Sequence, residues 1–365
     1  MILGDGLRTR DNNLNLIRFL AATAVLVSHA WPMTRGRGTA EPLQGLTGLS
    51  LGEMAVCVFF AASGFLIAAS LDRRPAPVDF LRARAARLVP GLAVSLLLVT
   101  FALGPAVSTR PAETYLASPD TWEFLIRNLT LVRPAYELET VFETNPLPIV
   151  EGSIWTLRFE VACYALLAAA GFSGLMASRP LATAVLLGWL AVTLARQAGA
   201  LAAPYEIDRL LMLSQPFALG ALAFLWRDRL PLSFALLALL AMAAAFAPAA
   251  VQPAALVLAL SYGTLVLAVR PAGRIRAFNR AGDYSYGIYI YAVPVQALVV
   301  WALGPMTPAW HIVVALPATL ALAVLSWHLV EAPALAAARE RSARRQSQIA
   351  RPERTDAAAR TARSA

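Results

Sequence analysis

Hydrophobic positions along the chain gather into long runs interrupted by short, arginine-rich or acidic clusters. A bilayer core about 30 Å thick takes roughly 20 mostly apolar residues per helical crossing. Ten runs of about that length occur, at 15–33, 49–71, 87–106, 154–173, 180–200, 209–226, 231–248, 251–269, 284–303 and 308–330. They predict an all-α membrane protein, a polytopic bundle of about ten transmembrane helices. The seventh and eighth runs could instead merge into a re-entrant hairpin around Pro248 and Pro253. A polar lead covers 1–14, the membrane domain covers 15–335, and the composition of 336–365 predicts a disordered basic tail. Residues 107–153 are the largest piece outside the apolar runs. They carry Glu113, Asp120, Glu123, Glu137, Glu139, Glu143 and Glu151, and a short amphipathic helix is expected near Thr121–Leu131.

Charge orients the bundle. All 31 basic residues are arginine, and the net charge of +9 could suit a nucleic-acid partner. Their placement argues otherwise. With a cytoplasmic N-terminus, 22 arginines fall on inner segments and seven on outer ones, and reversing the topology would invert the bias. Both termini are therefore expected in the cytoplasm, with the lipid bilayer as partner and no nucleic acid. A hydrophobic share of 58% and a mean hydropathy of +0.61 agree with a membrane class. Arg18 and His29 interrupt the first run, so it reads as a retained helix rather than a signal peptide. Cys57 and Cys163 fall inside helical runs and read as small apolar residues. The three histidines and two scattered cysteines suggest no metal centre.

Polar side chains inside a bilayer are costly and need a function or a named partner. Arg18 and His29 are eleven residues apart, close to three turns, so they project from one helix face about 16 Å apart along the axis. A guanidinium suits phosphate and an imidazole suits proton transfer near neutral pH. The plainer readings are a positive-inside anchor and an interfacial residue beside Trp31. In the second run, Ala62, Ser63 and Gly64 fit close helix packing. Phe80, Arg82, Arg84, Arg87 and Pro90 form a basic patch that fits either an anionic ligand or a topology signal. Arg158 and Glu160 are two apart, so each needs a partner elsewhere; Glu160 could orient His29 or hold a neighbouring helix. Four tyrosines crowd residues 284–291. The last run ends Ser-Trp-His-Leu-Val-Glu-Ala-Pro, with His328 and Glu331 expected on one face.

In order along the chain, these motifs resemble acyltransferase family 3, the bacterial integral-membrane O-acyltransferases. The resemblance spans about residues 12–335. It rests on Arg18 and His29, Phe59–Phe65, Arg82–Pro90, Trp155–Glu160, Ser285–Tyr289, and Glu331 with Pro333. It implies transfer of an acyl group, most often acetyl, from cytoplasmic acyl-CoA to a hydroxyl of a sugar or glycan outside a bacterial inner membrane. It places His29 at the catalytic centre and Glu160 at a motif carboxylate counted with it. It gives Arg18, Arg82 and Arg84 a part in donor binding or pore architecture, and Ser63 is counted with them at the donor site. Many members of that family have a histidine where this chain has Ala292, a departure that marks a subgroup with a different acceptor. Two other readings suit the same pattern: a transporter or flippase of a lipid-linked sugar, and a membrane scaffold that uses its acidic loop and arginine-rich tail.

Overall fold

The computed structural model describes residues 1–6, 11–73 and 76–345; Arg8, Arg10, Arg74 and the part of the expected tail beyond residue 345 with its arginines lie outside them. Ten apolar helices organise the chain. They are α1 (Leu14–Arg35), α2 (Leu51–Asp72), α3 (Pro77–Val107), α4 (Leu157–Phe172), α5 (Arg179–Gln197), α6 (Tyr205–Leu225), α7 (Phe234–Ala245), α8 (Gln252–Val269), α9 (Ser285–Leu303) and α10 (Pro308–Arg345). Among the described residues, nine are long and apolar enough to cross a membrane, and the protein is a multi-pass integral membrane protein. Helix α7 is the exception. Its 12 residues rise only about 18 Å, so the crossing expected over 231–248 is present but short. Helices α7 and α8 remain separate, and the chain turns at 246–251.

Contacts sort the connections onto two faces. Gly4 N donates to Arg227 O at 2.7 Å and Asn13 N to Ala268 O at 2.8 Å. Asp72 pairs with Arg227 at 3.0 Å and Asp228 with Arg179 at 2.9 Å. The N-terminal segment and the α2–α3, α4–α5, α6–α7 and α8–α9 connections thus lie together. On the opposite face Arg37 pairs with Glu137, Arg158 with Glu206 at 2.6 Å, and Pro253 lies against Gly48. The first face is the arginine-rich one and is the inner face, and the opposite one is the outer face.

Small residues set the closest helix contact. A Cβ on Gly64 of α2 would stand 2.0 Å from Phe217 O, and one on Gly220 of α6 would stand 2.1 Å from Ala61 O. The backbones of α2 and α6 therefore touch where only hydrogen fits, the packing reading of the Ser63–Gly64 stretch. Helix α3 widens into a π turn at Val99–Leu103, and Tyr115 OH donates to Thr100 O there at 3.0 Å. This contact docks the outer segment 107–153, which carries helices Ala112–Ala117 and Pro119–Thr130. Asn145 Nδ2 pins the same segment to Ala297 O of α9 at 2.9 Å.

Two expectations at the C-terminal end need correction. Helix α10 runs on to Arg345, ten residues into the segment expected to be a disordered tail. A π turn at Trp327–Glu331 changes the angular step between residues, so His328 and Glu331 do not share a face. Glu331 is buried, whereas His328 is exposed and lies 3.3 Å from Tyr284 OH.

Candidate active site

Three cavities lie in series through the bundle. The inner one, about 320 Å³, is lined by Arg18, Ser63, Arg84, Arg87, Tyr164, Asp283 and Arg339 among others. A chamber of about 40 Å³ follows, walled by Arg18, Phe59, Arg87, Thr156, Glu160, Tyr164, Tyr286 and Tyr289. The outer cavity, about 450 Å³, holds His29, Glu41, Glu53, Trp155, Arg196, Asp208 and Tyr289. Arg18, Arg87 and Tyr164 border both the inner cavity and the chamber; Val56 and Tyr289 border both the chamber and the outer cavity. Arg18 and His29 thus face the same interior from one helix, with the chamber between them. The Thr156 and Tyr289 hydroxyls are hydrogen-bonded to each other in the wall of that chamber.

The outer cavity is built around α1. Val25 and His29 are four apart and project into it together. Pro32 has no N–H to give the Ser28 carbonyl, which loosens the helical ladder beside His29. Ser28 Oγ donates to Glu41, from the loop after α1, and accepts from Gly52 N of α2 at 2.9 Å. This network seats Glu41 close enough for its charge to act on the imidazole. Nδ1 of His29 is buried with no hydrogen-bond partner among the described residues.

Glu160 is occupied elsewhere. It accepts from Ser63 Oγ at 2.8 Å and from Tyr164 OH, and it borders the chamber rather than the outer cavity. The carboxylate beside His29 is therefore Glu41, not Glu160. Arg158, as its spacing requires, turns away to Glu206 and lies over the Phe159 ring at 4.5 Å.

At the inner end the arginines differ in their engagement. Asp283, just ahead of α9, takes Arg18 at 2.5 Å and Arg87 at 2.6 Å, and accepts from Ser285 Oγ at 2.5 Å. Burial raises the Asp283 carboxyl, but the two guanidiniums outweigh it and hold it well below the usual carboxylate range. Glu331 stands 3.8 Å from Arg87 and accepts from Ser326 Oγ at 2.9 Å. Arg84 lines the inner cavity with no carboxylate partner among the described residues, and its Nε is buried and unbonded. Arg82, two positions earlier on α3, points to another side. It pairs with Asp79 at 3.3 Å and borders none of the three cavities, so the structure does not bring it into the group with Arg18, Arg84 and Ser63.

Three of these residues carried a faint signal in the sequence. Glu41 is the sole acid between residues 12 and 52, and Asp283 the sole acid between 229 and 330. Both stand at the ends of helices that carry motif residues. Arg87 was visible only as one of a patch; its neighbours Asp283 and Glu331 are distant in sequence, so only folding identifies it as the bridge between them.

Comparison with known proteins gives a consistent picture. A family model described as an acyltransferase domain matches residues 11–328. An O-acetyl transferase of Shigella phage Sf6 is 26% identical over 339 residues, covering 88% of this chain and 95% of that protein. Nodulation protein 10 of Rhizobium leguminosarum bv. viciae is 28% identical over 364 residues, covering 89% and 93%. The exopolysaccharide production protein ExoZ of Rhizobium meliloti (strain 1021) is 28% identical over 318 residues, covering 80% and 92%. No solved structure matches the chain.

Proposed function

The chain belongs to the acyltransferase-domain family and is an O-acyltransferase, and from that premise we propose that it moves an acetyl group from cytoplasmic acyl-CoA to a sugar hydroxyl on the far side of a bacterial inner membrane. The observation that carries this reading is the series of cavities running from an arginine-lined inner mouth to His29 at the outer end. Membership of this family displaces the transporter and scaffold readings.

Donor phosphates suit the inner cavity. Four arginines line it against one aspartate, and Arg84 offers forked N–H donors that no carboxylate among the described residues has claimed. The chamber, about 40 Å³, is too small for a nucleotide and leaves room only for the thioester end of the donor, with Arg18 and Arg87 at its inner rim. Glu160 borders the chamber and Ser63 the inner cavity, and their mutual bond ties the two walls together.

The acceptor hydroxyl meets the thioester at His29. In this reading the imidazole takes the hydroxyl proton as the alkoxide oxygen attacks the thioester carbonyl. The carbon–sulfur bond breaks and the proton passes to the departing thiolate. Glu41 supports the imidazolium formed on the way. A route in which His29 first accepts the acyl group itself conserves the same atoms but predicts ping-pong kinetics, whereas direct attack requires both substrates to be bound together.

His29→Ala is expected to abolish transfer, measured as thiol release and acceptor mass gain with the purified protein, while the thermal midpoint stays near wild type. Transfer surviving in that variant would remove the imidazole from the reaction.

A further inference from the structure

The two large cavities carry opposite charge. The inner one holds Arg18, Arg84, Arg87 and Arg339 against Asp283. The outer one holds Glu41, Glu53 and Asp208 against Arg196, which Asp208 already engages at 3.0 Å. The other two carboxylates are fixed in place. Glu41 accepts from Ser28, and Glu53 accepts from Ser50 N at 2.8 Å in the capping box that starts α2. Neither has a cationic partner among the described residues. An anion entering this space would meet two like charges with no cation paired to them among the described residues, each worth about tenfold in affinity.

The rest of the lining suits hydroxyl-bearing rings. Trp155 and Tyr289 offer flat aromatic faces, and Gln44 and Gln197 offer side-chain amides. At about 450 Å³ the cavity is in the range that encloses a small ligand rather than a polymer strand.

We propose that the outer cavity selects, as the residue to be acylated, a sugar unit bearing no carboxylate or phosphate, either neutral or amino-substituted, and that it rejects uronic-acid units. The inference rests on the reading of His29 as the centre of transfer, and it explains how one protein handles a polyanionic donor without admitting an anionic acceptor. The charge that attracts the donor is confined to the inner end.

Mass spectrometry of surface glycans and secreted oligosaccharides, resolved residue by residue in strains with and without the gene, tests it. The expected result is loss of ester mass from uncharged or amino-bearing units, with any ester on acidic units at least about tenfold scarcer. Loss mainly from uronic-acid or phosphorylated units would overturn the inference while leaving acyl transfer intact. No lost ester anywhere would overturn acyl transfer itself. Complementation with Glu53→Gln retains a side chain that can complete the cap and removes one charge. The ratio of acidic to uncharged ester should rise about tenfold, and an unchanged ratio would refute selection by charge.

Discussion

Replacing Asp283 with asparagine tests whether one carboxylate holds the inner end of the bundle together. The side chain is 10% exposed, and its partners Arg18 and Arg87 are 21% and 15% exposed. Both guanidiniums reach the same oxygen, at 2.5 and 2.6 Å. Removing one member of a buried pair typically costs about 3–5 kcal/mol, because the remaining charge stays desolvated. Here two cations lose their partner, but Arg87 keeps Glu331 at 3.8 Å, which places the expected loss at about 3 kcal/mol. The measurement is the thermal midpoint of the purified protein in detergent, followed by intrinsic fluorescence, together with the yield of folded protein in membranes. The pH dependence adds a second constraint. The carboxyl is held below its unfolded value of about 3.9, so its contribution is complete above that pH and fades only as pH falls through the folded value. The deficit of Asp283→Asn should therefore be flat from pH 5 to pH 9. A midpoint equal to wild type, or a deficit that appears only above neutral pH, would refute the reasoning.

Other consequences can be checked in the same way. Glu151 is fully buried with neither carboxylate oxygen hydrogen-bonded among the described residues, and burial pushes its carboxyl well above the usual range. The unfolded chain ionises near pH 4.3 while the folded one stays neutral, so the stability Glu151 contributes at low pH is lost as pH rises toward the folded value. Glu151→Gln should leave the thermal midpoint unchanged at pH 4 and raise it at pH 7; equal shifts at both pH values would contradict this. Gly220→Val should collapse the yield of folded protein in membranes, since its Cβ would lie 2.1 Å from Ala61 O, and normal yield would disprove that close approach. Glu41→Gln should lower kcat about tenfold with little change in KM for the donor, because a neutral amide supports the imidazolium less well than a carboxylate. A change confined to donor KM would place Glu41 outside the reaction.

Runs of about 20 apolar residues determine by themselves an all-α membrane bundle and the place of each helix along the chain, and the arginine bias between them supplies the expected orientation. The reason is that burial in lipid and the positive-inside bias act on each segment through its own composition. The spacing of Arg18 and His29 likewise determines that both project to one side of α1, since an isolated helix already has that geometry. What lies opposite each of them is a property of the folded bundle. The partners come from distant segments: Asp283 for Arg18, Glu41 beside His29, Ser63 for Glu160, Glu206 for Arg158. Helix α7, Phe234–Ala245, is shorter than its apolar run, and α10 continues past its run to Arg345. Tertiary packing alone decided that the interior divides into a basic inner cavity and an acidic outer one. Local sequence sets which charges exist, but their sum over a cavity depends on which helix faces meet.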